Sequence, residues 1–166
     1  MITVSFPSAM TVRTAHAVWY DGKAVREGKP MMVSSRGRYA LRVMADLAEN
    51  DKGDGSFIPL KEIAEREELS LKYLESIMTT LSKAGLVEGA HGKGGGYRLN
   101  RRPEEYRVGD ILRLTEGSLA PVSCVESGCE PCENAQKCRT RPMWTKLDRL
   151  INDFFDGITV ADLMSK

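Results

Sequence analysis

The stretch "IPLKEIAEREELSLKYLESIMTTLSKAG", residues 58–85, constrains this chain more than any other. Pro59 stands just ahead of a short helix that carries Leu60, Ile63 and Ala64 on one side, and Leu69 belongs to the turn that follows. Ser70 is a natural N-cap, its hydroxyl free to accept an amide of the next helix's first turn. Leu71, Leu74, Ile77, Met78 and Leu81 then recur at helical spacing as a buried stripe. Gly85 is placed to stop the helix. A short helix, a tight turn and a longer capped helix make a helix-turn-helix.

The flanking segments extend this unit. "SRGRYALRVMADLAEN" places Tyr39, Leu41, Val43, Met44, Leu47 and Ala48 on the broad apolar stripe of a core helix. "LVEGAHGKGGGYRLN" predicts two short strands, Leu86-Val87 and Tyr97-Arg98-Leu99, around a glycine-rich tip. That tip is not a phosphate loop: Lys93 comes early, and a strand rather than a helix follows. Its glycines suit a hairpin that needs positive φ or close backbone approach. His91, Lys93 and Arg98 flank it, and a hairpin tip of this kind places cations where they can meet a phosphate backbone or a minor groove. "VGDILRLTEG" predicts a two-turn helix with Ile111, Leu112 and Leu114 apolar. Finally, Trp144, Leu147, Leu150, Ile151, Phe154 and Phe155 recur over nearly four turns, in a helix starting at Pro142 and ending near Gly157. So long a stripe either lies back across the domain or packs on a second chain.

The expected fold is mainly α with a small β-hairpin wing: a winged helix-turn-helix domain plus a long C-terminal dimerisation helix. Residues 33–107 form the DNA-binding domain, 108–138 a linker helix and cysteine loop, and 139–166 the dimerisation helix and tail. Residues 1–32 show no sustained helical period and are expected to be a leader or disordered arm, with Met31 or Met32 as the natural start. The alternative is a short strand or helix packed on the main domain. Lys and Arg total 24 against 23 Asp and Glu in 166 residues, so net charge says nothing about nucleic acid, and only local placement matters. No window carries the apolar run of a membrane span or signal peptide, and the expected location is cytoplasmic.

"SSRGRYALRVMADLA", "IAEREELSLKYLESIMTTLSKAGLVEGAHGKGGGYRLN" and "CENAQKCRTRPMW" together resemble the Rrf2 family of bacterial winged-helix transcriptional regulators, from about Val33 to Met164. The resemblance implies a homodimer, joined through the C-terminal helix, that binds a partly palindromic double-stranded operator. It places Ser70 to Leu81 in the major groove, with Ser70, Lys72, Tyr73, Glu75 and Ser76 as the leading contacts and Leu71 and Leu74 as core. Glu75 suits cytosine N4, and Ser70 or Tyr73 suits phosphate. Arg36 and Arg38 match basic positions near the DNA backbone. His91 replaces an arginine that the family's iron–sulfur cluster regulator carries before its wing, and Lys72 and Ser76 also differ from that relative.

All four cysteines lie in "CVESGCEPCENAQKC", residues 124–138, spaced C-x4-C-x2-C-x5-C. Zinc usually takes two C-x2-C pairs, and only Cys129 and Cys132 make one. By the resemblance, Cys124, Cys132 and Cys138 match three iron–sulfur ligands. Arg141 stands where the family's cluster regulator has a ligating histidine, so the fourth ligand is open between Cys129 and a partner carboxylate. The expected group is [2Fe–2S], then [4Fe–4S], with zinc or bare redox thiols as alternatives. The expected function is a regulator sensing iron–sulfur status, redox or nitric oxide. Its rivals are a cluster-free regulator of cysteine or sulfur metabolism acting through thiols, zinc or a partner protein, an iron–sulfur electron carrier, and a winged-helix protein-interaction module. No hydrolytic constellation is present, and the chain is not expected to be an enzyme.

Overall fold

A computed structural model of the chain describes residues 33–128 and 134–164, together with the backbone of 18–20 and 23–25. The chain divides into two units, 1–32 and 33–166. In the first, β1 (Val18–Tyr20) pairs antiparallel with β2 (Lys23–Val25), Val18 opposite Val25. A short strand there is the sequence-based alternative to a leader or arm. The available signal was the Asp-Gly dipeptide of "YDGK", which favours a two-residue hairpin connection.

The second unit begins with α1 (Ser35–Glu49), capped by Ser34, whose side chain accepts the Gly37 amide. Glu116 locks this cap from the far end of the domain by accepting from both the amide and the hydroxyl of Ser34. Val43, Met44, Leu47 and Ala48 bury the core face of α1 as the stripe predicted, joined by Ala40, while Tyr39 and Leu41 pack half-buried against it. The exposed loop after it returns at Ile58, and α2 (Leu60–Glu67) follows, ending on Glu68 at φ 54°. A bidentate ion pair joins α1 to α2: Arg66 Nε donates to Asp46 Oδ1 at 2.6 Å, and Arg66 Nη2 to Oδ2 at 2.8 Å.

α3 (Leu71–Lys83) starts at the expected cap, with Ser70 accepting the Tyr73 amide, and Gly85 lies just past its end at φ 70°. Leu74, Ile77, Met78 and Leu81 fill the core beneath it. The wing is β3 (Val87–Ala90) paired with β4 (Gly96–Leu99), and Ile58 adds a short third rung through reciprocal 2.9 Å bonds with Tyr97. The wing glycines have the roles their sequence suggested. Gly92 and Gly94 take φ 92° and 81°, and a Cβ on Gly96 would collide with the Ile58 carbonyl. That carbonyl cannot yield without breaking the third rung, so Gly96→Ala is expected to cost about 2–3 kcal/mol in urea denaturation.

Tyr106, which patterning passed over, holds the exit from the wing. Its buried hydroxyl accepts the Asn100 and Arg101 amides and donates to Asn100 Oδ1. α4 (Val108–Glu116) then packs on α1 and buries Val108, Ile111 and Leu112. α5 (Arg141–Asp156) is the long C-terminal helix, and α6 (Val160–Leu163) follows it. The segment after α5 packs back on the winged domain. Val160 is wholly buried in the winged-domain core, and its amide bonds the Tyr106 carbonyl at 2.9 Å. Arg113 of α4 bridges to α5, donating to Asn152 and Asp156 while also engaging Asp110.

Candidate nucleic-acid interface and thiol segment

α3 has two faces. One is core; the other presents Leu71, Lys72, Glu75, Ser76 and Thr79 to solvent. Lys72, Glu75 and Ser76 therefore share one outward arc. Ser70 begins this arc, with its hydroxyl engaged in the cap.

Three side chains differ from the sequence expectation. Leu71 was placed in the core but is 47% exposed. Leu69 of the preceding turn packs on the core instead, and the buried stripe begins one turn later at Leu74. Tyr73, expected among the leading contacts, is half-buried, its ring set edge-on against Tyr39 with centroids 5.9 Å apart. Arg98 is committed within the wing. It sits directly opposite Glu88 in the strand register and bonds it at 2.9 and 3.1 Å, bonds the Gly55 carbonyl, and stacks on Phe57 at 4.5 Å. Cross-strand register pairs this cation with Glu88, a partner that spacing alone did not show.

His91 and Lys93 remain exposed at the wing tip. Arg36 reaches from α1 to α3, donating to the Ser76 carbonyl and the Thr80 hydroxyl, and so braces the helix that carries the arc. Arg38 is exposed, with a local bond to Ser35. Sequence reasoning missed the Arg36 brace because it joins residues 40 and 44 positions apart.

Of the four thiols, Cys129 and Cys132 lie outside the described residues. Cys124 sits half-buried in a 3-10 turn, Ser123–Val125, that packs against α5. Cys138 is half-buried just before α5, its sulfur 3.4 Å from the Thr140 hydroxyl. That hydroxyl, then the backbone amides of Thr140 and Arg141, hold the Cys138 thiol below the usual cysteine range. An open groove of about 590 Å³ runs beside it, lined by Gln136, Arg141, Thr145, Lys146 and Arg149 among others. Along α5, Met143, Leu150 and Phe154 are exposed by 54%, 56% and 63%. The winged domain covers only part of the predicted stripe, leaving Trp144, Leu147, Ile151 and Phe155 half-buried. Among the described residues, no helix is long and apolar enough to cross a membrane.

Comparison with known proteins agrees with this architecture. Residues 33–166 match the family described as "Rrf2: Iron-dependent Transcriptional regulator". The chain is 40% identical to the HTH-type transcriptional regulator IscR of Aliivibrio salmonicida over 134 residues, covering 81% of this chain and 77% of that protein. Among solved structures, CymR, the global cysteine regulator of B. subtilis, superposes with a TM-score of 0.64 at 34% identity, covering 80% of this chain and 95% of that one. IscR of T. potens superposes at 0.60 with 37% identity, covering 80% and 85%. A winged helix-turn-helix, a half-open C-terminal helix and this match over 33–166 lead to one conclusion: the chain belongs to the Rrf2 family of transcriptional regulators, which are DNA-binding proteins and not enzymes.

Proposed function

We propose that the chain is a cytoplasmic, homodimeric regulator that reads a partly palindromic operator and senses iron–sulfur status, redox or nitric oxide through its thiol segment. The observation that carries the reading is the pairing of a polar, outward α3 arc with an apolar α5 face left open in the single chain. A second copy on α5 covers Met143, Leu150 and Phe154 and presents two α3 arcs to successive half-sites. Lys72, Glu75 and Ser76 then face base edges and phosphates. Arg38 and Lys93 supply flanking cationic contacts and His91 a polar one, while Arg36 holds α3 in place.

The thiol segment fits an iron–sulfur group on two counts. Ligation requires thiolate, and the Thr140 hydroxyl and two backbone amides favour the ionised form of Cys138. The groove cations Arg141, Lys146 and Arg149 suit an anionic thiolate-ligated centre. Cys124, Cys132 and Cys138 would hold the group, with Cys129 available as the fourth thiolate. [2Fe–2S] is the first assignment, [4Fe–4S] the second and zinc the alternative. When bound, the group supplies dependence on iron and on electron transfer.

The chain's own residues provide a route to the DNA surface. The Cys124 turn lies on α5, Arg113 ties α5 to α4, α4 packs on α1, and Arg36 ties α1 to α3. A shift of the thiol segment can thereby change the spacing of the two arcs. The structural likeness to CymR favours a second reading, a cluster-free regulator of cysteine metabolism.

The test compares operator binding by protein purified anaerobically, the same protein stripped of metal, and a Cys132→Ala, Cys138→Ala variant. The expected variant lacks iron and sulfide and loses its visible absorption. Its operator affinity should differ from that of the loaded protein by about tenfold. Equal affinity in all three forms removes the sensing role, and colourless wild-type protein containing zinc removes the cluster.

A further inference from the structure

Leu71 is the apolar residue on the α3 arc, and the proposed contacts leave it unused. It is an aliphatic side chain in an otherwise polar set, with Lys72 beside it and Glu75 one turn on. The other large aliphatic residues of α3 behave differently: Leu74, Ile77, Met78 and Leu81 are buried. Leu71 is also the first residue of its helix. A recognition helix contacts base edges mainly through its N-terminal residues. On the major-groove floor, the apolar group available to an aliphatic side chain is the C5 methyl of thymine.

We infer that Leu71 is a specificity-determining residue that packs on a thymine C5 methyl in each half-site, with Glu75 accepting from a nearby base. The inference deepens the proposed function and rests on its assignment of α3 to the major groove. Arg36 supports it by bonding the Ser76 carbonyl and the Thr80 hydroxyl, which limits the rotation of α3 about its axis and keeps the Leu71–Glu75 edge outward. Contact with a methyl removes apolar surface from water on both partners, a gain that a cytosine at the same position does not offer.

The experiment removes only the methyl. Duplexes are selected by the wild-type protein from a random library about three helical turns long, enough for two half-sites. Each thymine of the preferred duplex is then replaced in turn by deoxyuridine. Binding of wild type and Leu71→Ala is measured by fluorescence anisotropy at fixed salt. Circular dichroism checks that the variant is folded, as expected for truncation of an exposed side chain.

Wild type should lose about fivefold in affinity at one thymine per half-site, the effect of one buried methyl. Leu71→Ala should bind the parent duplex more weakly and show no further loss at that position. A scan without a sensitive thymine, or an equal penalty in wild type and variant, overturns the role of Leu71 and leaves DNA binding intact. Failure of the wild type to enrich any duplex overturns both.

Discussion

Leu150→Glu combined with Phe154→Glu is expected to give a folded monomer that binds operator DNA about a hundredfold or more weakly than wild type. Both residues are more than half exposed, so the substitutions leave the winged-domain core untouched and the melting transition of the monomer unit close to its original position. In the proposed dimer their energetic role comes from burial against a second copy. Each large apolar side chain buried there contributes about 1.5–3 kcal/mol, and in a two-fold interface every position counts twice. The substitution removes those gains and places four carboxylates around the symmetry axis. A monomer engages one half-site and loses the effective concentration that its partner's attachment confers on the second. Sedimentation velocity reads the first effect and anisotropy at fixed salt the second. A wild type that sediments as a monomer, or a variant that keeps both dimer and affinity, would sink the dimer assignment.

Arg66→Ala is expected to destabilise the winged domain by about 3 kcal/mol. Asp46 is 5% exposed and receives two charge-assisted bonds from Arg66, with Asn50 Nδ2 as a weaker third donor at 3.2 Å. Removing the guanidinium strands a carboxylate between α1 and α2, where Asn50 alone cannot satisfy it. Asp46→Asn removes the charge along with the pair and should cost less, because Arg66 reaches solvent and can rehydrate. Chemical denaturation of the two variants gives the comparison. An Arg66→Ala loss below that of Asp46→Asn would mean the carboxylate finds water in the folded state. Since α2 supports the turn into α3, operator binding should fall in both variants only as far as the folded fraction falls.

Much of this architecture is legible along the chain because its signals are local. Ser70 caps α3 and Gly85 ends it, as the side-chain oxygen and the positive φ required. The wing glycines are where backbone approach and positive φ demand them. The long helix runs from Arg141 to Asp156, one residue from the predicted start. The differences arise where a non-local partner decides. Periodicity marked Leu71 apolar but could not show that Leu69 takes the inward place. Arg98 looked like a free cation until the β3–β4 register set it against Glu88. Val160 carried no signal of its own, yet two strand-like bonds return it to the core beside Tyr106.

From sequence alone came the helix-turn-helix, the glycine wing, the apolar C-terminal helix and the clustering of four thiols, because caps, turns and hydrophobic spacing act over a few residues. The tertiary structure decided which arc of α3 faces outward, which cations are already paired, and which half of α5 lies open. Those outcomes depend on partners 10 to 44 positions away, such as Glu88 for Arg98 and Thr80 for Arg36, whose approach no local pattern encodes.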